Sequence, residues 1–464
     1  MKETSSQRFL ERSSELSSVE AYFRCPPEFI WNVGSISPLS RDAGFFSCGE
    51  GSVFFGRTVA GYCKKSPNQQ LCDLAEYVTV QNSHVSLPFD VDELVVNLTQ
   101  ERYTRKNGRP VLLKLASKVV RNSYYAARPM LPLGFRSYLQ KLYLSDWQQL
   151  TFPKWPVDTT VDDLMRKLLR MAMGAHGCES VPFIWFWPKG ANGCAIMTHD
   201  VEEEIGRAFC STLMDINDHY QIHSSFQIVP ENRYAVSPEF LSEIRERRFE
   251  VNIQDLNHDG RLYWDHDEFK RRAAKINQYA QDWGAVGFRA GILYRNQEWF
   301  GELDFEYDMS TPNVAHLDPQ RGGCCTVMPF FVGDILELPV TTTQDHSLFH
   351  ILHSYELSLW KQQMALILGR HGLASFIVHP DYILDEPARH TYHRLLAELS
   401  RMREEENIWI ALPKEVNRWW RDRNAMTLRN KDGCWIIEGP GSEHATLAFA
   451  TLQDGELVYT FPSQ

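Results

Sequence analysis

The residues from Cys194 to Glu204 read Cys-Ala-Ile-Met-Thr-His-Asp-Val-Glu-Glu-Glu, an apolar run that ends in acid. Asp200 and Glu202 are two apart, so in extended chain both carboxylates point the same way. That arrangement suits either a solvated turn or one wall of a metal site. Further on, Gln254 and His258 are four apart, a spacing that puts two donors on one side of a helical turn. Arg289, Asp308 and His379 follow, in Phe-Arg-Ala-Gly-Ile, Tyr-Asp-Met-Ser and Ile-Val-His. A divalent ion that polarises a carbonyl and activates water wants a few nitrogen and oxygen ligands and an open position. Glu202, His258 and Gln254 are donors of that kind. Asp200 can then take the proton of the water, and His379 can give one to a leaving group. Asp308 would orient His379 and raise its pKa, and Arg289 would grip Asp200 in a forked pair. Taken singly, each residue favours a plain role: a hydrogen-bonded His, an Arg–Asp bridge, a helix start rich in acid. Taken together at successive strand ends, the chemical reading is the better one.

What must position these groups is an alternation. Apolar runs that read as strands occupy 223–229, 249–254, 285–290, 304–310, 335–340, 374–380 and 408–413. Helical patterns lie between several of them, at 205–219, 237–248, 267–283, 350–370 and 386–405. Alternating strand and helix predicts a parallel sheet with right-handed crossovers, and about seven such units predict a barrel, whose chemistry gathers where strands end. The fold class expected is therefore α/β, a (β/α) barrel of about seven strands; its distorted form is what the family resemblance described below implies. No Gly-rich phosphate loop follows a strand, which disfavours a nucleotide-binding sheet.

Outside the barrel the pattern changes. Residues 1–180 read as a mixed α+β region of unassigned role, with hairpins near 42–57 and helical pieces at 112–129 and 135–144. A Pro-rich connector at 151–160 leads to a helix capped at Thr159 or Thr160 and ended by Gly177. The barrel is expected over 181–423. Residues 424–464 read as a small β appendage whose short strands turn at Asp-Gly pairs.

The chain has 464 residues and a net charge of −11, which argues against a broad nucleic-acid-binding face. Its 10 cysteines include no C-x-x-C pair, so a cysteine zinc site is not expected. There is no apolar leader and no run long enough to span a membrane, and the expected home is a reducing cytoplasm. The 13 Trp and 26 Phe serve a core, and some can face sugar rings. Trp187, Tyr263, Trp264 and Tyr294 lie near strand ends, though packing is the commoner use of such residues. The polar stretch 337–349 also follows a strand end and offers His346 as a substrate contact.

The order of these motifs resembles the polysaccharide deacetylase family, also called the NodB-homology domain or carbohydrate esterase family 4, over residues 181–420. Thr198-His199-Asp200-Val201-Glu202 is similar to the family's first motif, and Gln254 to His258 occupies the place of its paired histidines. Arg289, Asp308 and His379 stand in its third, fourth and fifth motifs. The resemblance implies a distorted barrel and metal-dependent removal of an acyl group, usually N-acetyl on an amino sugar. It implies Asp200 as general base, Glu202 and His258 as ligands of zinc, Arg289 steadying the base, and Asp308 supporting the acid His379. Three positions depart from the pattern: Gln254 for a metal-binding His, Glu202 for Asp, and Gly291 for Pro. A carboxamide oxygen is a neutral, harder ligand than imidazole, so zinc affinity should drop. A loosely held ion, Asp255 or His199 in place of Gln254, and no ion at all stay open. The alternative function is an impaired, deacetylase-like binding or assembly protein in polysaccharide biosynthesis. Partners expected are a carbohydrate or a small amide or ester, with a homo-oligomer or a biosynthetic partner left open.

Overall fold

The computed structural model describes residues 17–30, 32–49, 51–61, 64–104, 144 and 146–462. The helical pieces expected at 112–129 and 135–144 lie outside these, Leu144 apart. The chain forms two compact units, one of residues 100–158 and 192–417, the other of 1–99, 159–191 and 418–464. Both are discontinuous in sequence, which a division into consecutive segments at 180 and 423 does not express.

The first unit holds the alternation. Its strands are β1 (Gly193–Val201), β2 (Ser225–Ile228), β3 (Glu250–Gln254), β4 (Gly287–Arg289), β5 (Tyr307–Asp308), β6 (Phe330–Val332), β7 (Ile335–Glu337), β8 (Leu373–Ile377) and β9 (Ile408–Ala411). The helices are α1 (Glu204–His219), α2 (Pro238–Glu246), α3 (His266–Trp283), α4 (Ser358–Leu368) and α5 (Glu386–Glu405). Strand order is β6-β7-β5-β4-β3-β2-β1-β8, with β9 also paired to β1. All pairings are parallel except the β6–β7 hairpin. Among the described residues the sheet thus has nine strands rather than about seven. The two strands beyond the seven runs are β1, read above as the apolar run that ends in acid, and β6, where Pro329 interrupts the apolar stretch 327–332.

Where strand pairing stops, a backbone and a side-chain hydrogen bond join the segment after β7 to β8. Thr342 N–H donates to the Ser375 carbonyl at 3.3 Å, and Thr341 Oγ1 donates to the Leu373 carbonyl at 2.6 Å. The curled sheet is a half-barrel, in keeping with the α/β class that the alternation predicts.

Local chemistry explains the elements. All nine residues of β1 are buried, as befits a parallel strand covered on both faces. Ser237 caps α2, with Pro238 in its first turn, and Asp265 caps α3 by accepting from the Asp267 and Glu268 N–H groups. Gly284 ends α3 at φ +60°, a left-handed conformation that costs glycine nothing. Met197, Phe226, Phe376, Trp360 and Leu395 form one core beneath the helices, and Ile253, Phe288, Phe269 and Ile276 form a second. Burying each such side chain contributes about 1.5–3 kcal/mol. Register then sets Gln254 beside Arg289, Phe288 beside Asp308, and Asp308 beside Glu337, so polar residues gather at the carboxyl ends of the strands.

The second unit contains the helix Thr160–His176, with Thr159 at its N-cap position and Gly177 in the left-handed region at its end. Ser180–Ile184 pairs antiparallel with Leu447–Gln453, which pairs with Glu456–Thr460. This apolar strand, expected to open the barrel, therefore belongs to a separate sheet. Its side chains suit burial in either, and only the pairing partner distinguishes them. Hairpins turn at Asp432-Gly433 and Asp454-Gly455, as the Asp-Gly pairs predict. Trp187 packs on Trp420 at 5.3 Å between ring centres. No described helix of either unit is long and apolar enough to cross a membrane.

Candidate active site

At the carboxyl end of β1, Asp200 is buried and accepts a hydrogen bond at Oδ1 from Arg289 Nη1, at 2.6 Å. Arg289, at the end of β4, is fully buried. It also donates to Thr198 Oγ1 at 2.7 Å and to the Met309 carbonyl at 3.0 Å. Three fixed acceptors leave the guanidinium one orientation, and through it Asp200 has one as well.

Glu202 lies one residue past β1 and is the centre of the site. Its Oε1 is 3.0 Å from Gln254 Nε2, 2.8 Å from His258 Nε2 and 3.4 Å from His379 Nε2. Burial alone would raise the Glu202 carboxyl, but His258 and His379 outweigh it and hold the group well below the usual range. Burial likewise disfavours charge on His258 and on His379. Glu202 outweighs it at His258, and Asp345 and then Glu202 outweigh it at His379, so both imidazoles are raised.

His379 sits two residues past β8. Its Nδ1 is 2.7 Å from Asp345 Oδ1, and its backbone N–H donates to Asp345 Oδ2, also at 2.7 Å. The expectation that Asp308 orients His379 is corrected here. Asp308 instead accepts from Ser310 N–H at 2.8 Å and Ser310 Oγ at 2.9 Å, and shares a hydrogen bond with Glu337 on the neighbouring strand. Burial pushes Asp308 up to about 6 and Glu337 well above its usual value, so the two carboxyls hold a proton between them. Asp345 escaped the sequence reading although it lies in the polar stretch 337–349. The signal was a carboxylate directly before His346, in a segment returning from a strand end.

His199 and Asp255, the substitutes considered for Gln254, differ. His199 alternates with Asp200 along β1 and so faces the other way. Its Nδ1 lies 2.9 Å from the Val378 carbonyl and its Nε2 3.0 Å from Asn217 Nδ2, outside the pocket. Asp255 stays beside the site. Its Oδ1 accepts from Leu256 N–H at 2.6 Å, and its Oδ2 is buried without a hydrogen-bond partner among the described residues. A Cβ at Gly291 would come within 2.6 Å of that oxygen and 2.9 Å of His258 Cδ2, so a larger residue here would displace both side chains. Tyr294 closes the Gly291–Leu293 turn by donating its N–H to the Gly291 carbonyl at 3.2 Å. His346 packs against Tyr382, whose ring lies 4.6 Å from that of His379. Burial lowers His346 to about 4, which keeps it neutral.

The donors fit a divalent cation. Asp200, Glu202 and His379 each offer a ligand atom, all within 4.8 Å of one another. Gln254 Oε1 and His258 Nε2 are buried and lack hydrogen-bond partners among the described residues, His258 Nε2 lying close to Glu202 but off the hydrogen-bond direction. Buried polar atoms left this way cost about 1–3 kcal/mol each, a cost that ligation removes. As placed, Gln254 Nε2 donates to both Asp200 Oδ2, at 3.2 Å, and Glu202 Oε1. It thereby does for two carboxylates what a cation would. A half-turn of the amide, nearly identical in shape, presents Oε1 instead.

No protein-family model matches the chain, and no curated protein matches it. Solved structures similar to it include one from Mycobacterium smegmatis assigned to the polysaccharide deacetylases, 18% identical over 51% of this chain and 93% of that one, with a TM-score of 0.42. Puue allantoinase is 12% identical over 51% and 92% of the two chains, with a TM-score of 0.39. The peptidoglycan deacetylase PdaC from Bacillus subtilis is 10% identical over 51% and 95%, with a TM-score of 0.34. Likenesses this faint leave the function to be argued from the side chains.

Proposed function

We propose that the chain is a metal-dependent hydrolase that removes an acyl group, of N-acetyl type, from a sugar or sugar-linked substrate. The bond broken would be a carbon–nitrogen bond outside peptides. The observation that carries this reading is the convergence of three kinds of group on one pocket. Asp200 is clamped by Arg289, Glu202 lies among Gln254, His258 and His379, and His379 is backed by Asp345. A scaffold has no use for that set.

Glu202, His258 and Gln254 would hold the ion, with Asp200 and His379 beside them. When bound, a zinc-class ion supplies polarisation of the acyl carbonyl and activation of water. Asp200 keeps Oδ1 on Arg289 and uses Oδ2 to take a proton from the attacking water. The new carbon–oxygen bond forms as the carbon–nitrogen bond breaks, and the departing nitrogen takes a proton from His379 Nε2. Asp345 keeps the His379 ring turned so that Nε2 faces the substrate. The proton left on Asp200 then returns the site to its starting state by way of solvent.

The test is hydrolysis of an acetyl ester and of an N-acetyl sugar by protein stripped of ions and reloaded with zinc, against Asp200→Asn. Loss of turnover in the variant with the thermal melt retained supports the reading; unchanged turnover removes Asp200 from its role. A second reading, an impaired binding or assembly protein, is favoured by one observation. Gln254 Nε2 already bridges the two carboxylates that a cation would join. Bound zinc in the purified protein separates the two.

A further inference from the structure

Strand β1 ends at Val201, so Glu202 hangs one residue beyond the sheet. Its side chain has one rotatable bond more than an aspartate. What aims it is the peptide group on either side of its Cα, and both are held by one loop, the connection from β2 to α2. Thr198 turns its carbonyl to β8, where Val378 N–H donates to it at 3.0 Å. Backbone direction alternates along a strand, so the Val201 carbonyl turns to β2 and faces Val229 N–H. A phenol bridges this last rung. The Tyr234 hydroxyl accepts from Val229 N–H at 3.1 Å and donates to the Val201 carbonyl at 2.6 Å. Arg233, its neighbour, donates from Nε to the Glu202 carbonyl at 2.7 Å, and its Nη2 pairs with Glu203 Oε1. The same loop is tied to the segment that carries Gln254 and His258, because Glu231 N–H donates to the Leu256 carbonyl at 2.9 Å. Asn232, at φ +66°, makes the left-handed step between these ties, a conformation that asparagine adopts more readily than most residues.

We propose that Tyr234 and Arg233 are positioning residues for the metal ligand Glu202. They fix the two peptide planes that flank its Cα, and through Glu231 the loop sets those planes relative to His258. This rests on the hydrolase reading above and adds to it the residues that set the ligand geometry. Both act through backbone carbonyls rather than on the ion. Without the Tyr234 hydroxyl, Val229 N–H and the Val201 carbonyl close directly into a rung, which draws the end of β1 toward β2 and swings Glu202 with it. Groups outside the ligands that orient them are worth about ten- to a hundredfold in metal affinity.

The experiment uses ion-stripped protein, unaltered and Tyr234→Phe, with the thermal melt of each recorded. Zinc affinity is measured by competition with a chromophoric chelator. The visible absorption is then recorded at saturating Co2+, whose bands follow ligand geometry. Tyr234→Phe is expected to bind zinc about tenfold more weakly and to alter the cobalt spectrum. Unchanged affinity overturns the proposal. So does weaker binding with an unaltered cobalt spectrum, which would mean that Tyr234 supports the fold alone. If Tyr234→Phe does not fold, Arg233→Ala takes its place under the same criteria; the Arg233 side chain is 27% exposed, so its loss opens no core. If the unaltered protein binds neither ion, the hydrolase reading fails and the positioning role fails with it. Equal binding by the unaltered protein and the variant sinks the positioning role and leaves the hydrolase reading standing.

Discussion

A single carboxylate, that of Asp345, holds His379 at two points, Nδ1 and the backbone N–H, each at 2.7 Å. The two residues are 34 apart in sequence and lie past the ends of β7 and β8. One contact orients the imidazole and the other fixes the chain that carries it, so the acid of the proposed reaction is set by a residue outside the metal ligands.

Replacing that carboxylate should therefore cost more than a charge. In Asp345→Asn, kcat on an acetyl ester should fall about a hundredfold, the range expected when general acid–base catalysis is impaired. Asp345 raises the His379 pKa, and the acid must be protonated to work. The alkaline limb of the pH–rate profile should accordingly move to lower pH. A limb that stays in place would mean that His379 is not the acid.

Gln254 should set ion retention. Gln254→His exchanges a neutral carboxamide for an imidazole, and bound zinc after dialysis is expected to rise about tenfold, the scale on which ligand-shell changes act. Elemental analysis reads this directly. No gain in Gln254→His, together with no loss in His258→Ala, would remove the metal from the site.

Arg289 should matter for folding as well as for chemistry. Arg289→Met leaves Asp200 buried without its partner, and breaking such a pair costs about 3–5 kcal/mol. Chemical denaturation of the variant should show a loss of that size. A loss under about 1 kcal/mol would mean that Asp200 finds other support.

His199 should make stability sensitive to acid. Burial keeps it neutral and lowers it from 6.5 to about 4. Between those values the unfolded chain binds the proton and the folded one does not. The contribution is thus fully present above pH 6.5 and is lost as pH falls toward 4, by up to about 3 kcal/mol. Unfolding free energies at pH 7.5, 6 and 5 should converge between wild type and His199→Gln as acid is added; parallel curves would exclude His199 as the cause.

Much of the barrel was readable because its signal is local. A parallel strand buried on both faces is a run of apolar residues, and Ser237, Asp265 and Gly284 mark helix ends by their own backbone bonding. Short β6 was masked by Pro329, which interrupts the apolar stretch 327–332 around it. The strand Ser180–Ile184 carried a strong one but gave no hint that Leu447–Gln453 would be its neighbour.

For the site, the chain order alone named the groups at the strand ends: Asp200, Glu202, Gln254, His258, Arg289, Asp308 and His379. It could do so because side-chain type and the end of an apolar run are both written in consecutive residues. Only the folded chain decided who meets whom. It put Asp345 rather than Asp308 behind His379, paired Asp308 with Glu337, turned His199 away from the pocket, and laid the Gln254 amide across two carboxylates. Those choices depend on register and on the curl of the sheet, which bring residues tens of positions apart within hydrogen-bond reach, and no periodicity in the sequence encodes that distance.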